Sequence, residues 1–272
     1  MPTISYKLRS EADDVARAVY EDIMRTYGLD EPRGIYLLMG HTPDHLAPSW
    51  ERSRSIYGMD SAFTVKVKHI LTLAISATNN CEYCCRSHTT RLRQLGATDA
   101  DLIEAMMVVD TTNGESKFAE GTRTGDDPVL PPPNPKALSP EARCAVAEMR
   151  ETPAADTAMY GLMAYDSGYL AASWRRRRAC FGDDGRLGLK LKHMIAYVVA
   201  ATSGSDHAIA TYAKRLRELD LTAVEMAELV FIVDVVCGYN RYVQGLQVDP
   251  LEGQRKPWGK HAQANKAASC CG

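Results

Sequence analysis

The sequence lacks a surplus of charge of either sign: 32 Lys and Arg stand against 34 Asp and Glu, a net −2. That balance exerts no general pull on a polyanion, so no nucleic-acid partner is expected. No stretch approaches the ~18 consecutive apolar residues of a membrane span. The start, MPTISYKLRSEADD, lacks the basic then apolar order of a secretory signal. A cytoplasmic protein with no membrane partner is therefore expected. Strand-like alternation and hairpin turn pairs are also missing, which points to an all-α fold.

What is present is ample material for a core. Apolar residues make up 45% of 272, so folding needs no disulfide staples. Eight cysteines in a reducing compartment point to catalysis, metal binding or simple burial. Five fall in two clusters: Cys81, Cys84 and Cys85, and then Cys270 and Cys271 near the end. Cys144, Cys180 and Cys237 stand alone in apolar surroundings and read as core residues.

The chain contains itself twice. An offset of 124, from His69 to His193, lays VKVKHILTLAISAT (65–78) on LKLKHMIAYVVAAT (189–202) without a gap. The same offset pairs Trp50 with Trp174, Glu104 with Glu228, and Asp110 with Asp234. The reading is a first repeat within 1–125, a Pro-rich linker at 126–140, a second repeat within 141–250 and a flexible tail at 251–272.

Within the first repeat, Val67, Ile70, Leu71, Ala74 and Ile75 follow the i, i+3, i+4 spacing of a buried helical stripe. Asn79-Asn80 interrupts it, with Asn80 the expected N-cap of a helix from Cys81 to near Gly96. Further helices are expected to start at Thr98 and, in the second repeat, at Thr222.

On the expected helix, Cys81, Cys84 and His88 share one face, while Cys85 points about a hundred degrees away from Cys84. A thiol in the first turn sees the positive end of the helix dipole, which favours the thiolate. A second thiol within reach can capture an oxidised sulfur as a disulfide. A redox dithiol needing no cofactor is the first reading. The other is a site for mercury, copper or an arsenical formed by Cys81, Cys84, Cys85 and His88, because soft metals prefer sulfur. A structural zinc is short of ligands, since no second Cys-x-x-Cys exists.

The segment LAISATNNCEYC with His88 four residues beyond its last cysteine resembles the AhpD-like alkylhydroperoxidase and carboxymuconolactone decarboxylase family. The resemblance is strongest over 55–125 and extends more weakly over 180–248. It implies an AhpD-like helical fold assembled into a homo-oligomer, a trimer or hexamer or else a dimer. By the peroxidase branch, Cys84 is the thiol that reduces a peroxide or disulfide substrate, Cys81 resolves it, and His88 sits in the proton relay. The reductant implied is a thioredoxin-like or lipoyl-bearing partner. His69 occupies the position of the family's relay glutamate, and an imidazole can move protons near neutrality. The other branch implies decarboxylation of a lactone acid.

In the second repeat, Ser205, Ala208 and Tyr212 replace Cys81, Cys84 and His88, so one active site per chain and a second repeat serving as scaffold are expected. His69 and His193 also admit the reading of core histidines bonded to a backbone carbonyl. The run Trp174-Arg175-Arg176-Arg177-Arg178 reads as a solvated or paired helix face. Cys270 and Cys271 could swing into the Cys81/Cys84 site to exchange a disulfide or hand over a thiophilic ion.

Overall fold

The computed structural model describes residues 3–125, 127–153, 155–182 and 185–251. The tail with Cys270 and Cys271 lies outside them. Among the described residues there are twelve α-helices and no strand, so the all-α expectation holds. In chain order they are α1 (Asp14–Tyr27), α2 (Gly34–Met39), α3 (Pro43–Tyr57), α4 (Val65–Thr78), α5 (Glu82–Gln94) and α6 (Asp99–Thr122). There follow α7 (Pro140–Glu151), α8 (Thr157–Met163), α9 (Ser167–Phe181), α10 (Leu189–Ser203), α11 (Asp206–Glu218) and α12 (Ala223–Gly245).

The repeat is visible in the backbone. Left-handed residues recur at the 124-residue offset: Asn80 with Gly204, Gly96 with Asp220, and Arg123 with Gln247. Each ends a helix where a positive φ turns the chain, a conformation open to Gly and tolerated by Asn and Asp. Asn80 therefore closes α4 rather than capping α5. The N-cap is Cys81, whose extended backbone (φ −92°, ψ 93°) is matched by Ser205 (φ −92°, ψ 95°) ahead of α11. The expected cap is thus one residue early, because Asn80 carries the turn.

The chain forms two compact units whose limits differ from those of the sequence repeats. Of the described residues, one takes those from 3 to 98 together with those from 224 to 251, and the other takes those within Asp99–Ala223. The Pro-rich stretch at 126–140 lies inside the second unit, and its described part includes a short 3-10 turn at Pro135–Ala137.

In the first unit α4 is the inner helix, with every residue from Lys68 to Ser76 buried. The Thr64 hydroxyl accepts the Val67 N–H at its start. Helix α5 packs along it, and α12 joins it through Asn240, whose side chain bonds Ser76 and Asn79. In the second unit α10 is the inner helix, buried from Lys192 to Ala200, with α6 and α11 against it. Side chains of α7, α8 and α9, among them Met149, Tyr160, Leu170 and Trp174, form a further apolar cluster there with Ala119 of α6.

Some expectations about single residues change. Cys180 is buried, but Cys144 is exposed on α7 and Cys237 is only half-buried, since an apolar neighbourhood in sequence does not fix which face a helical residue takes. In the arginine run, Arg176 pairs with Asp110 and Arg178 with Glu148. Arg177 instead turns inward, bonding Glu115 at 2.6 Å with its guanidinium 4.7 Å from the Phe181 ring centre.

Candidate active site

The turn between α4 and α5 is held from several sides. The Cys81 N–H donates to Ser76 O at 2.9 Å. The Gln244 amide donates to Asn79 O and Asn80 O, and Arg241 donates to Asn79 Oδ1. The Asn79 amide donates to Asn240 Oδ1 at 3.1 Å. This lattice fixes Cys81 at the cap and Cys84 one turn into α5.

Both cysteines are buried, Cys81 1% and Cys84 6% exposed. Cys84 lines a cavity of about 60 Å³ together with Tyr57, Ser87, His88, Arg33 and Asn240, whereas Cys81 lies behind it. The Cys84 side chain favours the Cys81 thiolate, and the Cys84 N–H and the charge of Arg241 add to it against the effect of burial. Cys84 is pushed well above the usual thiol range by the same contact and then by burial, with Asn240 opposing. The first proton lost from the pair therefore leaves Cys81 as the thiolate and Cys84 as the donor. Cys85, half-buried beside them, is raised to about 11, chiefly by burial.

His69 and His88 form the second pair, with Nδ1 atoms 2.8 Å apart, so one ring donates and the other accepts. The Tyr57 ring sits over both, its centre 5.3 Å from His69 and 6.2 Å from His88. The Tyr57 hydroxyl is hydrogen-bonded to that of Thr72. Burial pushes His88 down to about 3, with Arg33 adding to the effect. Burial also holds His69 well below the ordinary range, followed by His88, Arg91 and Arg33. At neutral pH both imidazoles are uncharged.

The structure thus joins Cys81 with Cys84 and His69 with His88. Among the described residues no three His, Cys, Asp or Glu side chains converge as a metal-ligand set, so Cys81, Cys84, Cys85 and His88 do not form one here. The carbonyl-bonded reading fits His193, whose Nδ1 meets Leu189 O at 3.1 Å, but His69 has taken a partner on α5.

Sequence reasoning missed Arg33, Tyr57 and Asn240. The available signal was a difference between repeats: Tyr57 aligns with Phe181, Asn240 with Ser116, and Ser53 with Arg177. In the second unit the matching cavity shrinks to about 20 Å³, with Arg177, Glu115 and Tyr212 in its wall. Arg177 and the Tyr212 hydroxyl are 3.2 Å apart there.

Fold and site together define an all-α protein built from two copies of one helical motif, one of which keeps a buried thiol pair beside a histidine pair. The chain belongs to the carboxymuconolactone decarboxylase family, whose model matches residues 50–123 and 168–249, once per repeat and over more than half of the sequence. A solved structure from Burkholderia xenovorans, assigned as a gamma-carboxymuconolactone decarboxylase subunit, is similar at 20% identity with a TM-score of 0.63. The match covers 86% of this chain and 96% of that one. An alkylhydroperoxidase AhpD core structure, an uncharacterized peroxidase-related protein from Ralstonia eutropha, is similar at 13% identity with a TM-score of 0.50. Here 93% of this chain and 96% of that one are covered. At these identities the likeness concerns the fold. No curated protein matches. Among the described residues no helix is long and apolar enough to cross a membrane.

Proposed function

We propose that the chain is a thiol-dependent reductase of peroxides or disulfides, with Cys84 as the attacking sulfur and Cys81 as the resolving one. The observation that carries this reading is the placement of the pair: both cysteines are buried, three residues apart at the start of α5, and Cys84 lines the cavity while Cys81 does not. The Cys84 proton passes to Cys81, and the Cys84 thiolate attacks a peroxide oxygen. An S–O bond forms as the O–O bond breaks. The departing alkoxide takes the proton from Cys81, and the Cys81 thiolate then displaces hydroxide from the Cys84 sulfenic acid to give the disulfide. One proton from solvent completes the water released, and the His88–His69 contact offers its route. A dithiol of the thioredoxin or lipoyl class would restore the reduced pair.

Decarboxylation is the other chemistry named in the family. The buried Cys81/Cys84 pair favours the peroxidase reading, since decarboxylation has no use for a second thiol beside the first. The test is thiol-specific mass spectrometry of the reduced protein before and after one equivalent of hydrogen peroxide. A new Cys81–Cys84 disulfide within seconds is expected; thiols unchanged by peroxide and by a small disulfide would overturn the reading.

A further inference from the structure

Tyr57 and Thr72 line the cavity beside Cys84 and have no part in the steps above. Their hydroxyl oxygens lie 2.5 Å apart, and the Thr72 oxygen is also 2.8 Å from Lys68 O. A carbonyl oxygen only accepts, so the Thr72 hydrogen goes to Lys68 O and the Tyr57 hydrogen goes to Thr72. The reverse order would leave the buried Tyr57 O–H without an acceptor, since Thr72 is its hydrogen-bond partner among the described residues. Burial, with Tyr27 and Cys84 adding to it and the Thr72 contact opposing, holds the hydroxyl above the ordinary phenol range, so it keeps that hydrogen. Tyr57 thus spends its hydrogen on the wall and has only a lone pair to offer the cavity. The second repeat carries Phe181 and Ala196 at these two positions, and Ser205 and Ala208 where the thiols would be.

Resting on the dithiol reading, we infer that Tyr57 orients the substrate by accepting a hydrogen bond from the O–H of a hydroperoxide. Thr72 is the positioning residue that makes the phenol an acceptor. The oxygen so held is the one that Cys84 attacks. An S–O bond forms as the O–O bond breaks, and the hydrogen stays on the transferred oxygen, ending on the Cys84 sulfenic acid. The alkoxide, or hydroxide from hydrogen peroxide, leaves with the electron pair and takes the Cys81 proton. Tyr57 neither gains nor loses a proton, and the Cys81 thiolate closes the disulfide as before.

The test compares two rates in the reduced protein: closure of the Cys81–Cys84 disulfide by hydrogen peroxide, and alkylation of Cys84 by iodoacetamide, whose reacting carbon bears no O–H. Y57F keeps the ring that lies over both imidazoles. Its peroxide rate is expected to fall about twofold to tenfold, the loss of one neutral hydrogen bond, with alkylation unchanged. T72V is expected to match Y57F, and Y57F/T72V to fall no further, because the two residues act as one unit; T72S is expected to keep both wild-type rates. An unchanged peroxide rate in Y57F, an equal fall in both rates, or additive losses in the double variant would overturn the inference while leaving the dithiol reading standing. T72V against T72S decides if Y57F does not fold. If hydrogen peroxide leaves the wild-type thiols unchanged while iodoacetamide reaches Cys84, the dithiol reading falls and this inference falls with it.

Discussion

Lys68 Nζ and Glu228 Oε1 lie 2.9 Å apart, with the lysine fully buried. The same contact recurs at 2.9 Å between Lys192 and Glu104 in the other unit. By sequence, Lys68 and Glu104 belong to the first repeat, and Lys192 and Glu228 to the second. Arg52–Asp234 and Arg176–Asp110 cross in the same manner. The two repeats have therefore exchanged their long helices α6 and α12, and each unit is completed by a helix of the other repeat.

Exchange predicts that cutting the chain leaves it associated. With a protease site introduced at Pro131–Pro133, in an exposed part of the Pro-rich stretch, the two fragments are expected to co-elute on size exclusion without denaturant. Separate elution would show that the exchanged helices do not hold the halves.

Lys68 also donates to Ile56 O at 2.6 Å, and Glu228 accepts the Ala62 N–H at 3.0 Å, so the pair organises the turn before α4. K68M strands a largely buried carboxylate and is expected to lose about 3–5 kcal/mol of stability, whereas K68M/E228M recovers most of that. Urea unfolding of the two variants measures the difference.

The thiol pair predicts different end points for the two serine variants. C84S is expected to consume no peroxide. C81S is expected to stop at the Cys84 sulfenic acid, which dimedone captures and mass spectrometry locates. Dimedone on Cys81 in C84S would reverse the roles.

Asn240 is wholly buried and faces Cys84 as well as Asn79 and Ser76. N240A is expected to cost about 1–3 kcal/mol. It also removes a group that holds the Cys84 pKa down, so alkylation of Cys84 by iodoacetamide should slow at fixed pH. An unchanged alkylation rate would mean that Asn240 acts only in packing.

Three buried histidines set an acid limit. The ordinary value is 6.5, but burial holds His88 near 3 and His193 near 4, and His69 well below its usual range. Between those values the unfolded chain binds protons that the folded chain refuses. Their contribution is complete above about pH 6.5 and is lost as the pH falls toward the folded values, by up to about 1.4 kcal/mol per pH unit for each histidine. Urea midpoints at pH 7, 6 and 5 should fall in that order, and H69N/H88N should flatten the decline.

Much of this was legible in the chain. The 124-residue offset gave the repeats, and the periodicity of 65–78 gave the inner helix. Cys81, Cys84 and His88 followed from i, i+3 and i+4 spacing, because α-helical geometry converts short-range spacing directly into proximity. Asn80 was misplaced by one residue, since Asn serves both as an N-cap and as a left-handed turn residue and only the backbone chooses between them.

The sequence by itself determined an all-α duplicated protein with one surviving thiol pair, since composition, period and spacing are local properties. Tertiary structure alone decided that α12 rather than α6 completes the Cys84 unit. It also decided that His69 meets His88 and that Arg33 enters the cavity wall. Those contacts join residues that are far apart along the chain, where packing and the pairing of buried charge select among arrangements that local preference leaves equal.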